Sequence, residues 1–186
     1  LIQLDAGRTV LDVVLEGLQS VGFRKFVFCV GVHADQMTEH VARGNWLLDD
    51  STTFDISREE APLGVDGAVL HAIQGKDIKG QGMIVPGDVF LPWKSLAAMN
   101  LQHAKTGADV TVGVTSVVTE RTTDVEKLIA EPETNRLLWC YARDETPCDA
   151  MPGIEKFTSA AATTISIERY VEVCNEFRQD GRPVSF

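Results

Sequence analysis

Two apolar runs of strand length, Lys25–Val32 and Met83–Val89, constrain this chain most, because each follows a stretch whose apolar residues recur at helical spacing. Thr9–Val21 places Val10, Leu11, Val14, Leu15 and Leu18 on one helix face, and Gly22 is positioned to end it. His33–Arg43 carries Met37 and Val41 one turn apart, with Gly44 as its stop. A short strand is predicted over Thr52–Ser57, and a helix after the Gly64–Gly67 loop, from Ala68 through Ile73. Pro92–Lys105 reads as a helix with Pro near its first turn. Asp109–Val118 alternates through Val110, Val112 and Val114, as a strand does. This alternation predicts βαβ units, and therefore a parallel sheet with right-handed crossovers.

After Thr119 the rhythm changes. Leu128–Ala130 and Leu137–Tyr141 read as two strands of a hairpin, with Asn135 in the turn between them. A further strand, Ala160–Ser166, and a helix, Ile167–Phe177, follow, so antiparallel pairing is expected in this last third. The whole chain, 1–186, reads as one domain of sufficient length for a sizeable core. The strand-like opening at Leu1 and the stop at Phe186 are read as cuts at both ends of that domain.

Charge and cysteine usage narrow the partners. With 17 basic and 27 acidic residues the formal charge is −10, which disfavours nucleic acid or an anionic membrane, since both need a basic face. The longest apolar run, Phe26–Val32, is far too short to span a bilayer. Cys29, Cys140, Cys148 and Cys174 are widely spaced, which fits a reducing, cytoplasmic setting, with Cys29 read as a buried small hydrophobe.

The chemistry-bearing signal is Met83-Ile84-Val85-Pro86-Gly87-Asp88-Val89, read as a buried parallel strand with a carboxylate at its carboxyl end. Ligands of open α/β sheets bind at those ends, and one carboxylate there can hold Mg2+ against a phosphate. The competing reading of Asp88 is a turn or helix-capping residue before Pro92. Upstream, Gly64-Val65-Asp66-Gly67 can bring backbone N–H groups close to a base or phosphate. Its competing reading is a helix-opening turn in which Asp66 caps, and Glu59-Glu60 reads as a solvated acidic turn. Lys94, Arg143 and Lys156 are cations able to neutralise phosphate, although each also fits a plain surface charge. His33 follows Gly31-Val32 at a strand end, where it can face the same crevice or start a helix, whereas His40, His71 and His103 lie on predicted helices without metal-ligand spacing.

In order along the chain, these motifs resemble the family of nucleotidyltransferases that make nucleotide sugars from a sugar 1-phosphate and a nucleoside triphosphate. Glu60-Ala61-Pro62-Leu63-Gly64-Val65-Asp66-Gly67-Ala68 is similar to that family's E-x-P-L-G-T-A-G-A base-recognition loop, with Val65 and Asp66 replacing Thr and Ala. Val85-Pro86-Gly87-Asp88-Val89 resembles its V-N-G-D-V strand end. The resemblance implies a three-layer, Rossmann-like α/β fold of the glycosyltransferase A type, mainly parallel, with the antiparallel part in the C-terminal third. It implies nucleotide binding by Glu60, Pro62, Leu63, Gly64, Gly67 and Gly87, and Mg2+ on Asp88. It further implies Asp88 and Arg143 as catalytic residues, and Lys127, Arg143 and Ser159 on the sugar-phosphate side. The implied partners are a nucleoside triphosphate and a sugar 1-phosphate, and a homo-oligomer stays open.

The chain also departs from the family's pattern. The G-x-G-T-R triphosphate loop would precede Leu1, and a second metal-binding Asp would follow Phe186. Glu126-Lys127 stands for Tyr-Gly, Ala142-Arg143-Asp144 for Glu-Lys-Pro, and Ser159-Ala160-Ala161 for Asn-Ala-Gly. Two alternatives follow: a non-catalytic regulatory or assembly subunit of the same fold, and a cytidylyltransferase for an acidic sugar.

Overall fold

The computed structural model describes residues 1–4, 7–44, 50–74, 76–115, 127–141 and 155–179. Among them the elements run α1 (Val10–Ser20), β1 (Lys25–Val30), α2 (Ala34–Ala42), β2 (Thr53–Arg58), α3 (Gly64–Ile73), β3 (Gln81–Ile84) and α4 (Trp93–Thr106). They continue with β4 (Val110–Thr115), β5 (Lys127–Ala130), β6 (Leu137–Tyr141), β7 (Glu155–Ser166) and α5 (Ile167–Gln179). The chain is mixed α/β. It divides into one unit of Leu1–Thr111 with Thr164–Phe186, and a second of Val112–Thr163.

In the first unit α1 begins and ends where its sequence dictates. Thr9 and Asp12 form a capping box: the Thr9 N–H donates to Asp12 Oδ2 at 2.7 Å, and the Asp12 N–H donates to Thr9 Oγ1 at 3.2 Å. At the other end Gly22 takes φ +106, while the Phe23 N–H bonds Leu18 O and the Gly22 N–H bonds Gln19 O, both at 3.1 Å. That is the paired closure of a Schellman motif. His40 of α2 reaches the same cap, its Nε2 2.7 Å from Asp12 Oδ1. Burial works to raise the Asp12 pKa, but the Thr9 hydrogen bonds and His40 outweigh it and hold the carboxyl below its ordinary range.

β1 and β2 pair in parallel, from Lys25 opposite Thr53 to Val30 opposite Arg58. Only one face of β1 is fully buried, through Phe26, Phe28 and Val30. Cys29 points to the other face and is exposed, not buried as the apolar run implied; its Sγ lies 3.7 Å from Ala68 O. The expected single, mainly parallel sheet is only partly present: among the described residues β1 and β2 pair with each other and with no third strand.

β3 is shorter and less buried than expected. Its four residues are all half-buried, and pairing stops at Ile84. Pro86 has no N–H to donate, so the ladder cannot continue toward Asp88. β7 closes the unit beside β3 and β4: the Ser166 N–H donates to Asp109 O at 2.9 Å, and the Ile167 N–H to Gly80 O at 2.8 Å. Gly82 admits this approach, since a Cβ there would meet Ile167 Cδ1 at 3.1 Å. A core of Leu70, Ile165, Ile167, Tyr170 and Cys174 forms where α3 and α5 meet the end of β7.

Thr164, at the same end of β7, is fully buried, and its Oγ1 has no hydrogen-bond partner among the described residues. An unsatisfied buried hydroxyl costs about 1–3 kcal/mol, and valine has the same shape with a higher strand preference. Thr164→Val is therefore expected to stabilise the protein by about 1 kcal/mol, read as a higher urea midpoint with an unchanged slope.

The second unit holds the antiparallel part expected for the C-terminal third. β5 pairs antiparallel with β6, Lys127 opposite Tyr141, and on its other side with β7, Lys127 opposite Thr158. Asn135 takes φ +56 in the hairpin turn, which closes with the Asn135 N–H on Glu131 O at 2.8 Å. β7 begins at Glu155, five residues before the strand the sequence predicts, because pairing with β5 from Ala130 opposite Glu155 onward recruits charged residues into the ladder.

Candidate functional site

The parallel pairing of β1 and β2 brings their carboxyl ends side by side. The Glu59 N–H donates to Val30 O at 2.9 Å, so the chain leaving β2 is pinned to the end of β1. Arg58, the last residue of β2, pairs with Asp35 in the first turn of α2. Glu59 is half-buried beside the exposed Glu60, and it does more than face solvent. Its Oε2 accepts the Leu63 N–H at 3.1 Å and so closes the loop that leads into α3. The sequence offered no signal for this, since Glu59-Glu60 is an unremarkable acidic pair.

The Gly64–Gly67 segment is the first turn of α3 and not a loop ahead of it. Gly64 turns the chain at φ +71, a value reserved largely for glycine. Glu60, Pro62, Leu63 and Gly64 are exposed, whereas Gly67 is buried, and a Cβ on Gly67 would stand 3.0 Å from Leu63 Cβ. This places Leu63 and Val65, 41% and 69% exposed, as an apolar lip beside the open backbone of Gly64. Asp66 does not cap the helix. It is buried, and its Oδ1 accepts a 2.8 Å hydrogen bond from Tyr170 Oη on α5.

Asp88 lies in a turn four residues beyond β3, not at the strand end, and it is exposed. It has no hydrogen-bond or ion-pair partner among the described residues, and neither has Lys94 in the first turn of α4. Gly87 packs on α1, where a Cβ would meet Leu11 Cδ1 at 3.3 Å. An unengaged, exposed carboxylate suits Mg2+, which keeps several waters and takes one or two carboxylates along with substrate phosphates. Among the described residues no three His, Cys, Asp or Glu side chains converge on a metal position, so protein groups there would supply only part of its shell.

The nucleotide-side candidates all fall in the first unit. Of the sugar-side candidates, Lys127 opens β5 and Ser159 is half-buried in β7, both in the second unit. Arg143 lies outside the described residues.

A pocket of about 210 Å³ lies elsewhere in the first unit, lined by Gly80, Gln81, His103, Gly107, Asp109 and Ser166 among others. It sits at the start of β3, the opposite end of that strand from the Asp88 turn, and it contains none of the candidate residues. His103 in its wall is buried with Nδ1 2.9 Å from Thr111 Oγ1. Burial lowers the His103 pKa below 6.5, against a smaller opposing pull from Asp109. Between that lowered value and 6.5 the unfolded chain binds more protons than the folded one, so stability is complete above about 6.5 and falls as pH drops through the folded value. His103→Gln is expected to flatten the pH dependence of the urea midpoint between pH 5 and 7.

No protein-family model matches the chain, and no curated protein matches it significantly. Among solved structures, the crystal structure of HddC from Yersinia pseudotuberculosis is similar, with 13% identity and a TM-score of 0.63 over 91% of this chain and 68% of that one. The same protein complexed with GMP-PN gives 16% identity and a TM-score of 0.64, over 90% of this chain and 67% of that one. At such identities the likeness is one of fold. No helix among the described residues is long and apolar enough to cross a membrane.

Proposed function

We propose that this chain is a nucleotide-handling transferase with a three-layer, Rossmann-like nucleotidyltransferase fold, passing a nucleoside monophosphate from a nucleoside triphosphate to a sugar 1-phosphate. The observation that carries the reading is the Glu59–Gly67 segment. It is closed by its own carboxylate at the carboxyl ends of two parallel strands, and it presents an apolar lip beside exposed glycine backbone. The shared fold with a protein solved in complex with GMP-PN supports the same reading.

In this reading the backbone near Leu63, Gly64 and Gly67 meets the base, with Glu60 and Pro62 shaping the loop mouth. A sugar-phosphate oxygen attacks the α-phosphorus in line, and pyrophosphate leaves. Such transfer is mostly positioning and charge neutralisation. Asp88, beside Gly87, would hold Mg2+, which would supply positive charge to offset that of the phosphates. Lys127, Arg143 and Ser159 are the proposed sugar-phosphate contacts. The proposed setting is the cytoplasm.

The test is pyrophosphate release by the full-length protein from each nucleoside triphosphate against a panel of sugar 1-phosphates, acidic sugars with CTP included. A second reading, a non-catalytic relative that keeps nucleotide binding, is favoured by the Asp66 position, where a buried carboxylate stands in place of a small residue. It requires saturable nucleotide binding with no turnover on any substrate pair.

A further inference from the structure

Asp66 is out of character with its surroundings. Its chain neighbours Gly64 and Val65 are exposed, yet its own carboxylate is buried. An acid in a helix's first turn gains from the helix dipole while still in water, so the dipole gives no reason to bury it. Burying a carboxylate costs several kcal/mol unless it is hydrogen-bonded. Tyr170 supplies such a bond from α5, 104 residues along the chain, with Oη 2.8 Å from Asp66 Oδ1 and 3.4 Å from the carbonyl oxygen of the same residue. One hydroxyl thus reaches both the side chain and the peptide of Asp66. Burial first, and the neighbouring carboxylate second, raise the Tyr170 pKa, so its hydroxyl remains a donor.

We infer that Tyr170 and Asp66 are positioning residues, whose buried hydrogen bond fixes the first turn of α3 so that Leu63 and Val65 are presented as a platform for a nucleobase. The inference rests on the reading of Glu59–Gly67 as a nucleotide segment. Gly67 keeps the turn compact: a Cβ there would stand 3.0 Å from Leu63 Cβ, so Leu63 closes over the same turn that Asp66 anchors. Glu59 holds the other end of the segment through the Leu63 N–H.

The experiment uses the full-length protein and has two arms. Titration with ATP, GTP, CTP and UTP, with magnesium present, is expected to show at least fivefold weaker binding of the preferred nucleotide in Tyr170→Phe. Asp66→Asn keeps an acceptor of the same shape and is expected to lose less affinity than Tyr170→Phe. Ile165→Ala loosens the same core without touching this hydrogen bond, and is expected to leave affinity within twofold at a temperature where it is folded. Without nucleotide, amide hydrogens of residues 64–68 are expected to exchange faster in Tyr170→Phe than in Ile165→Ala. Equal affinity losses in Tyr170→Phe and Ile165→Ala, or native-like exchange in Tyr170→Phe, would overturn the positioning role. A native protein that binds none of the four nucleotides overturns the nucleotide reading instead, and the exchange arm then decides separately whether the bond holds the turn.

Discussion

Replacing Leu70 with alanine is expected to destabilise the protein by about 2–5 kcal/mol, the range for emptying a packed leucine site. Leu70 has no exposed surface, and around it stand Ile165, Ile167, Tyr170 and Cys174, with Val69, Ile73, Ile78 and Ile84 against that cluster. Alanine is the better helix former, so propensity works slightly against the loss and cannot explain it. The cost comes from the apolar contacts removed and from the incomplete collapse of a site walled by β-branched and ring side chains from several elements. Since a domain's net stability is only about 5–15 kcal/mol, a loss of this size removes a large part of it. Leu101→Ala is the comparison: the same chemical change on the exposed face of α4 is expected to fall within about 0.5 kcal/mol. Urea unfolding of the two variants checks both, and similar midpoints would show that the core does not centre on Leu70.

The features legible in the sequence are those carried by local chemistry. Thr9 with Asp12 at one end of α1 and Gly22 at the other fix its limits through neighbours close in sequence, and Asn135 marks the hairpin because it tolerates a positive φ. The features that escaped depend on partners far along the chain. Asp66 carries the mark of a helix cap, yet its role is set by Tyr170, 104 residues away. Glu59 looks like any surface acid until the parallel register brings its N–H to Val30. The apolar run Met83–Val85 predicts a strand that reaches Asp88, but Pro86 has no N–H to extend the pairing, so β3 ends at Ile84 and Asp88 lies in a turn. Likewise Glu155 and Lys156 enter β7 through pairing with β5 and not through any strand pattern of their own. The glycines Gly64 and Gly67 mark where the chain turns into α3, whereas Glu59 and Tyr170, which brace that turn, carry no local mark.

Asp88→Asn is expected to lower pyrophosphate-releasing turnover by about 100-fold or more, equivalent to roughly 2.7 kcal/mol of transition-state stabilisation. The change keeps the size and shape of the side chain and removes only its charge. Asp88 is exposed and without a partner among the described residues, so folding stability is expected to move by no more than about 0.5 kcal/mol. This separates the two readings of the residue. If Asp88 served only the Gly87-Asp88 turn, asparagine, an equally good turn residue, would leave every measurement unchanged. If it holds Mg2+, the loss must depend on the metal: a hard divalent cation binds a neutral amide oxygen far less well than a carboxylate, so the variant should require much more magnesium for whatever rate remains. Nucleotide binding measured without magnesium should be the same in both proteins, because the Glu59–Gly67 segment and α3 are untouched. Native turnover by Asp88→Asn at low magnesium would sink the metal assignment and leave the nucleotide segment to stand without it.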